Sequence, residues 1–351
     1  MNTSISGRKI RFALVGCGRI SKNHFDSITQ HCGRAELVDV CDIDAGALES
    51  AVLATGSKGH ASLTEMLRST TADCVIVTTP SGLHPRQAIE IARSGRHVLS
   101  EKPMATKWED GVRMVHACEE AGVRLFVVKQ NRNNATLQLL KQAVQKKRFG
   151  QIYMVTLNVF WQRPQQGYYD QAPWRGTWEM DGGAFMNQAS HYVDLLEWVI
   201  GPIESLHAYT ATLARDIEAE DTGVLSVKWR SGALGSLNCT MLTYPKNLEG
   251  SITVLGEKGT VRVGGVAVNE IKEWHFLEAD PDDAKIQEAS YATTSVYGFG
   301  HPMYYDNVIK VLQGKAQPDV DGWEGLKSLE VLIAAYRSAR DGVRVGLPLV
   351  L

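Results

Sequence analysis

The chain reads as an α/β dinucleotide-binding Rossmann domain followed by an α+β domain built on a large, mostly antiparallel open sheet. Three observations predict this. The run from Lys9 to Val15 is an apolar strand that enters Gly16-Cys17-Gly18, and a helix-like segment, Ile20–Ile28, follows at once. Up to about residue 128, short apolar strands alternate with helical patterns, as in a parallel sheet covered on both faces. After residue 129 longer strand-like runs, joined by turns such as Arg230-Ser231-Gly232 and Gly256-Glu257-Lys258-Gly259, predict antiparallel pairing.

In the first half, strands are expected at Ile10–Val15, Glu36–Cys41, Asp73–Thr78, His97–Ser100 and Arg124–Val128. Helices are expected at Ile20–Ile28, Ala45–Ala54, Pro85–Ser94 and Lys107–Ala121. Right-handed crossovers turn this succession into a doubly wound sheet, whose ligands lie beyond the carboxyl ends of the strands. The second half opens with a helix, Ala135–Lys147. Strands are expected at Gln151–Trp161, Ser205–Leu213, Gly223–Trp229, Ala233–Thr243, Leu248–Leu255 and Gly259–Val263. A helix from Gly183 to Val199 interrupts them and stops at Gly201-Pro202. Helical patterns at Pro302–Leu312 and Trp323–Asp341 close the chain. The expected domains are 1–129 and 130–351, with the closing helices placed to pack back on the first.

Composition narrows the function. Net charge is −2 with 22% charged residues, which argues against nucleic acid and against a polybasic membrane surface. The cysteines at 17, 32, 41, 74, 118 and 239 show no Cys-x-x-Cys pair and no zinc spacing, so they read as reduced thiols. No metal-spaced His/Asp/Glu cluster is visible, and no metal is expected. Met1–Gly7 is polar and too short for a signal peptide, and no apolar run approaches a membrane span. A cytoplasmic protein is expected.

Each candidate residue has a chemical reason and a plainer alternative. Gly16 permits the tight turn after the first strand, Gly18 lets backbone N–H groups approach a pyrophosphate, and the helix N-terminus adds positive partial charge. The third position of the fingerprint is Ser21. Asp42 ends the second strand, where a carboxylate accepts from ribose hydroxyls and repels a 2′-phosphate. Ile43 follows, with no adjacent cation, which favours NAD over NADP. The alternative for Asp42 is a solvated residue at a helix start, where Asp44 can cap equally well. Thr78-Thr79-Pro80-Ser81-Gly82-Leu83-His84 follows the third expected strand and opens a helix, with Ser81 as readily a cap as a ligand. Lys102, in Ser100-Glu101-Lys102-Pro103, sits where a cation can polarise an alcohol or relay a proton, or simply lie on the surface beside Glu101. Asn187, His191 and Asp194, spaced by four and three, share one face of a regular helix. Neutral histidine is a suitable base for an alcohol proton, although a lone helical His is more often a satisfied core residue.

Gly16-Cys17-Gly18, Glu101-Lys102-Pro103 and the segment from Gly182-Gly183-Ala184 to His191 together resemble the family of glucose-fructose oxidoreductase, inositol dehydrogenase and rhizopine catabolism proteins. The resemblance covers essentially the whole chain. It implies that Lys102 lies beside the nicotinamide and the reacting carbon, and that the Lys–Pro peptide is often cis. It also implies a second motif, Gly-Gly-x-x-x-Asp-x-x-x-His, here Gly182, Gly183, Asn187 and His191. Asn187 departs from the pattern. It can bond a sugar hydroxyl but cannot act as a base, which leaves His191 and Lys102 as the acid–base candidates. Cofactor contacts implied by the resemblance fall on Arg19, Ile20, Thr79, Pro80, Ser81, His84, Glu101, Lys102, Gln130, Trp174 and Arg175.

Longer matches, at Val128–Ala135, Phe160–Pro164, Trp174–Trp178, Phe185–His191 and Thr243–Glu249, resemble the bacterial UDP-N-acetyl-2-amino-2-deoxy-D-glucuronate 3-dehydrogenases. These imply NAD-dependent oxidation of a sugar C3 hydroxyl on the way to diacetamido uronic acids of lipopolysaccharide O-antigen. A pyridoxal-phosphate (PLP) aminotransferase would act next. Arg163, Arg175 and Lys129 are candidate cations for a UDP-sugar uronate, and Arg offers the bidentate fork that carboxylates accept. Tyr168, Asn187 and Gln188 are further substrate candidates. Trp161, Tyr168, Tyr169 and Trp174 either wall the sugar or pack the sheet. Relatives are often tetramers, and a large sheet with one open face suits a homotetramer. The stretch from Ser295 to Pro302 is a plain loop or a substrate cover reaching a neighbouring subunit. Competing readings are a family dehydrogenase acting on a free sugar or inositol, and a non-catalytic NAD-binding regulator.

Overall fold

The computed structural model describes residues 4–293, 296 and 298–349. The chain divides into two compact units, residues 1–129 with 301–329, and residues 130–300 with 330–351.

The first unit alternates β1 (Ile10–Val15), α1 (Ser21–Gln30), β2 (Ala35–Cys41), α2 (Ala45–Thr55), β3 (Lys58–His60), α3 (Leu63–Ser69), β4 (Cys74–Val77), α4 (His84–Arg93), β5 (His97–Ser100), α5 (Trp108–Glu120) and β6 (Leu125–Val127). The six strands are parallel in the order β3-β2-β1-β4-β5-β6. Local chemistry sets the helix ends. Asp44 caps α2 by accepting from the Ala47 N–H at 2.7 Å, and Gly56 closes it at φ 70°. Pro85 stands in the first turn of α4, where its missing N–H costs nothing. β3 and α3 were not expected. Lys58-Gly59-His60 is short and partly exposed at the sheet edge, and α3 has only seven residues, so neither carries a full apolar period. Ile10, Phe12, Leu14, Cys74, Ile76, Leu99 and Phe126 pack in one core with Tyr304, Tyr305, Val308 and Ile309 from the later part of this unit.

The second unit holds α6 (Ala135–Gln145), β7 (Ile152–Phe160), α7 (Ser190–Leu195), β8 (Ile203–Ala211), β9 (Thr222–Trp229), β10 (Leu234–Thr240), β11 (Glu249–Gly256), β12 (Gly259–Gly264), β13 (Glu270–Phe276), α8 (Ile286–Ala289) and, near its end, β14 (Val345–Gly346). The remaining helices are α9 (Gly300–Leu312) and α10 (Gly322–Asp341). The eight strands run β13-β12-β11-β7-β10-β9-β8-β14, with β7 and β10 the one parallel pair among them. One face is apolar, carrying Val155, Leu157, Leu225, Val227, Leu237, Ile252 and Val254, all buried. The other leaves Met154, Leu234 and Leu255 exposed as register neighbours, with Tyr209 beside Val224. β13 and β14 were not expected: β13 buries no residue fully and mixes charged with apolar side chains, and β14 has only two residues.

The expected helix from Gly183 to Val199 is not one helix. It is a π-turn at Ala184–Gln188, α7, and a second π-turn at Leu196–Ile200. The first π-turn shifts the angular register of Asn187 relative to α7, whereas His191 and Asp194 keep their i, i+3 relation within α7. Gly201, at φ 121°, ends it where the stop signal predicted.

Candidate active site

The candidate cofactor residues of the first unit gather at the carboxyl ends of β1, β2 and β4. Gly16 has φ +98°, and a Cβ there would stand 2.7 Å from the backbone of Thr78 and Thr79. Only glycine lets the two strand ends pass this closely. The Thr78 hydroxyl donates to the Gly16 carbonyl at 2.6 Å. Gly18 has open space where a Cβ would point. Ser21, in the third fingerprint position, donates its hydroxyl to the Gly18 carbonyl at 2.7 Å and is buried. Arg19 is exposed and Ile20 half-buried at the α1 N-terminus.

Asp42 holds the crevice from the other side. Its Oδ2 accepts the Cys17 N–H at 2.6 Å and its Oδ1 the Asp44 N–H at 2.9 Å. Each carboxylate oxygen keeps a second lone pair for a ribose hydroxyl. Asp44, as its alternative required, takes the capping role instead. Pro80 precedes a short 3₁₀ turn, Ser81–Leu83, and Ser81 is buried within it, so Ser81 does not cap α4. Thr79 donates to Gln87 Oε1 at 2.5 Å. Both ring nitrogens of His84 face carbonyls, Nε2 that of Thr79 at 2.8 Å and Nδ1 that of Pro103 at 2.9 Å, and burial lowers its pKa. His84 therefore ties the loop after β4 to the Lys102-Pro103 turn. The glycine-only turn, the open space at Gly18, the α1 N-terminus and the Asp42 carboxylate fit a dinucleotide.

Glu101 and Lys102 follow β5, and the Lys102–Pro103 peptide is cis. Glu101 is buried, and its carboxylate collects donors that are distant in sequence. The Tyr305 hydroxyl lies 2.7 Å from His24 Nδ1, and His24 Nε2 lies 3.2 Å from Glu101 Oε1. His301 Nε2 approaches the same oxygen at 3.7 Å, while Oε2 accepts the Lys102 N–H at 3.0 Å. These partners hold the Glu101 carboxyl well below its usual range despite burial, and burial lowers the pKa of His24. The ligating atoms of His24, Glu101 and His301 lie within 4.8 Å of one another, a grouping that spacing along the chain did not reveal. The chain from Tyr305 through His24 to Glu101 is fully accounted for as hydrogen bonds. Lys129, a candidate cation, is buried and donates to the Ser328 hydroxyl at 2.5 Å.

In the second unit Gln130 Nε2 lies 3.0 Å from His191 Nε2, and both residues are buried. With Gln130 as donor, His191 Nε2 is the acceptor and its ring proton sits on Nδ1. Asp194 forms a buried two-pronged pair with Arg132, both contacts at 2.7 Å. Asn187 donates to Asp181, which is buried and which the sequence reading passed over. Its position directly before Gly182-Gly183 was the available signal.

Tyr168 is the centre of the remaining candidates. Arg175 lies over its ring at 4.3 Å and Arg163 at 5.4 Å, and Gln188 Nε2 donates to its hydroxyl at 3.0 Å. Arg175 also stacks on Trp174 at 4.7 Å and Arg163 on Trp161 at 5.1 Å. Arg163 further donates to the Gln162 carbonyl and to Asn247. Arg175 Nε, Gln188 Oε1 and Gln130 Oε1 are buried and have no hydrogen-bond partner among the described residues. Tyr169 is buried and packs edge-on against Tyr168. Of the stretch at 295–302, Ser295 and Tyr297 lie outside the described residues.

Residues 10–129 match the oxidoreductase family, NAD-binding Rossmann fold, and residues 141–347 match the oxidoreductase family, C-terminal alpha/beta domain. The chain belongs to the glucose-fructose oxidoreductase, inositol dehydrogenase and rhizopine catabolism family. It is an NAD-dependent oxidoreductase. Two solved members are far more similar than the family at large. The WlbA dehydrogenase of Bordetella pertussis, in complex with NADH and UDP-GlcNAcA, is 70% identical with a TM-score of 0.96, over 99% of this chain and 100% of that one. The WlbA dehydrogenase of Chromobacterium violaceum, with the same two ligands, is 69% identical with a TM-score of 0.95, over 99% of both chains. The D-apiose dehydrogenase of Paraburkholderia graminis is 25% identical over 98% of this chain and 92% of its own length. Among the described residues, no helix is long and apolar enough to cross a membrane.

Proposed function

We propose that this chain oxidises the C3 hydroxyl of UDP-N-acetyl-D-glucosaminuronic acid to the 3-keto sugar, with NAD as oxidant. The observation that carries this reading is the identity of about 70% over almost the full length with two dehydrogenases that bind NADH and UDP-GlcNAcA.

Gly16, Gly18, the α1 N-terminus and Asp42 would hold NAD, which when bound supplies the acceptor for the C3 hydride. The rest falls to the chain's own residues. Lys102 and His191 serve the reacting hydroxyl, one polarising its oxygen and the other taking its proton, as the carbonyl forms and the C3–H bond gives up its electron pair. With Gln130 as donor the one basic lone pair of neutral His191, on Nε2, is already occupied, so His191 takes a proton there only as the substrate hydroxyl displaces the Gln130 contact. Arg163 and Arg175, pre-stacked on Tyr168, Trp161 and Trp174, meet the carboxylate and diphosphate of the substrate. Stacking pays part of the ordering cost before the anion arrives.

The product is a 3-keto sugar suited to a PLP-dependent aminotransferase, and the enzyme is proposed to work beside one in the cytoplasm. A homotetramer is proposed from the sheet face that leaves Met154, Leu234 and Leu255 together in the open. The test is NADH formation by the purified protein given NAD and the UDP-sugar uronate, with the aminotransferase and glutamate added to remove the ketone. Sustained NADH formation, reduced by about 10²–10⁴-fold in His191→Ala, is expected for loss of a general base. No NADH from protein that binds NAD would refute the substrate assignment.

A further inference from the structure

The π-turn at Ala184–Gln188 leads directly into α7, whose second residue is His191. The N–H groups that open a helical segment need partners from outside it. Here they come from one place. The Ala184 N–H donates to the Glu220 carbonyl at 2.8 Å, the Phe185 N–H to Glu220 Oε1 at 2.8 Å, and the Met186 N–H to the Tyr336 hydroxyl at 3.1 Å. The Tyr336 hydroxyl donates in turn to the same Glu220 oxygen at 2.9 Å. Three consecutive N–H groups thus end on one residue just before β9, two directly and one through Tyr336 of α10.

Glu220 is 2% exposed, and its Oε2 has no hydrogen-bond partner among the described residues. Gly183 leaves the carboxyl its room, because a Cβ there would overlap Oε2. The titratable groups beside it are Asp221, Tyr336 and Cys239, and burial raises the last two. Burial also pushes the Glu220 carboxyl up to about 7, so it costs stability near neutral pH. Groups held at such a cost concentrate at functional sites.

The path from this cap to His191 is short. The Ala184 carbonyl accepts the Ala189 N–H at 2.8 Å, the bond that closes the π-turn. The Ala189 carbonyl accepts the Tyr192 and Val193 N–H groups at 2.8 and 2.9 Å. Fixing Ala184 therefore fixes Ala189 and the first turn of α7, from which His191 Nε2 meets Gln130 at 3.0 Å.

We infer that Glu220, acting through Tyr336 and the π-turn, is a positioning residue that orients His191 for proton transfer. This deepens the function proposed above, and its kinetic test rests on that reading. The role needs an acceptor at Oε1 and no charge. Glu220→Gln keeps that acceptor, Glu220→Leu fills the space without one, and Tyr336→Phe removes only the bridging hydroxyl.

The experiment measures kcat, the KM values for NAD and the UDP-sugar uronate, and Tm, with the aminotransferase pull, at pH 6, where the wild-type carboxyl is mostly protonated. Crystal structures of wild type and Tyr336→Phe give a readout that needs no substrate. In Glu220→Leu and Tyr336→Phe, kcat is expected to fall about 10- to 100-fold, the effect of a small misplacement of a reacting group, with the KM for NAD near wild type. Glu220→Gln is expected to keep the wild-type kcat. In the Tyr336→Phe crystal His191 is expected to leave its contact with Gln130. Undiminished kcat in folded Tyr336→Phe would overturn the inference. So would a Glu220→Gln enzyme as impaired as Tyr336→Phe, or an unmoved His191 in the crystal. Inactivity of the wild-type enzyme would refute the substrate reading alone, and the crystal structures would still decide the inference.

Discussion

Glu101→Gln replaces a carboxylate that takes donors on both oxygens with an amide that has a donor on one side. In the native protein Oε1 receives His24 Nε2 at 3.2 Å with His301 at 3.7 Å, and Oε2 receives the Lys102 N–H at 3.0 Å. With His24 in the tautomer that donates from Nε2, the new NH₂ meets an N–H whichever way the amide turns. One buried donor loses its acceptor, at about 1–3 kcal/mol, and loss of the charge weakens the surviving contact, so about 2–4 kcal/mol is expected overall. Glu101 is 6% exposed, so little solvent screening softens this figure. Urea unfolding without cofactor, followed by fluorescence and far-UV circular dichroism, reads it as a lower midpoint at unchanged slope. The pH dependence adds a second readout. Glu101 lies below its ordinary 4.5 and His24 below its ordinary 6.5 in the folded state, so both bind protons more readily in the unfolded chain. Their contributions are complete above those ordinary values and are lost as pH falls through the folded ones. Wild type should lose more stability than Glu101→Gln on acidification below pH 4.5. A variant within about 0.5 kcal/mol of wild type, with the same acid slope, would refute the description of Glu101 as an ionised hub.

Two further outcomes are expected. Asp42→Ala removes the acceptors poised for the ribose hydroxyls and should raise the NAD dissociation constant about 10- to 100-fold, measured by fluorescence titration. Glu220 is buried between the Phe185 N–H at 2.8 Å and the Tyr336 hydroxyl at 2.9 Å, and burial pushes its carboxyl up to about 7. Its folded pKa exceeds the unfolded one, so folding binds a proton, and stability falls as pH rises from the ordinary 4.5 through 7. Glu220→Gln should therefore be more stable than wild type at pH 8, by about 2–3 kcal/mol, with the gain absent below pH 4.5. Equal stabilities at pH 8 would contradict the raised pKa of the buried Glu220 carboxyl.

The sequence by itself determined the parts of this protein that local spacing encodes. An apolar strand into Gly16-Cys17-Gly18, then Asp42 at the next strand end, is a pattern of period and turn chemistry, and it placed the candidate cofactor site. Alternation along β7, β9 and β11 likewise announced a one-faced sheet, because successive side chains point to opposite faces. Only the tertiary structure decided what lies beside what. His24, Glu101, His301 and Tyr305 come from segments up to 281 residues apart, and strand order and crossovers bring them together. Lys129 reads as a cation available to an anion, yet it is spent on Ser328. Asn187, His191 and Asp194 share a face only if every turn holds 3.6 residues. The π-turn at Ala184–Gln188 breaks that premise for Asn187, while His191 and Asp194 stay within α7; their partners include Asp181, Gln130 and Arg132 respectively. A π-turn becomes worthwhile only when packing and polar partners outside the segment repay its cost. Those partners, Glu220 against Gly183 and Phe185 among them, are set by the sheet and not by the helix sequence.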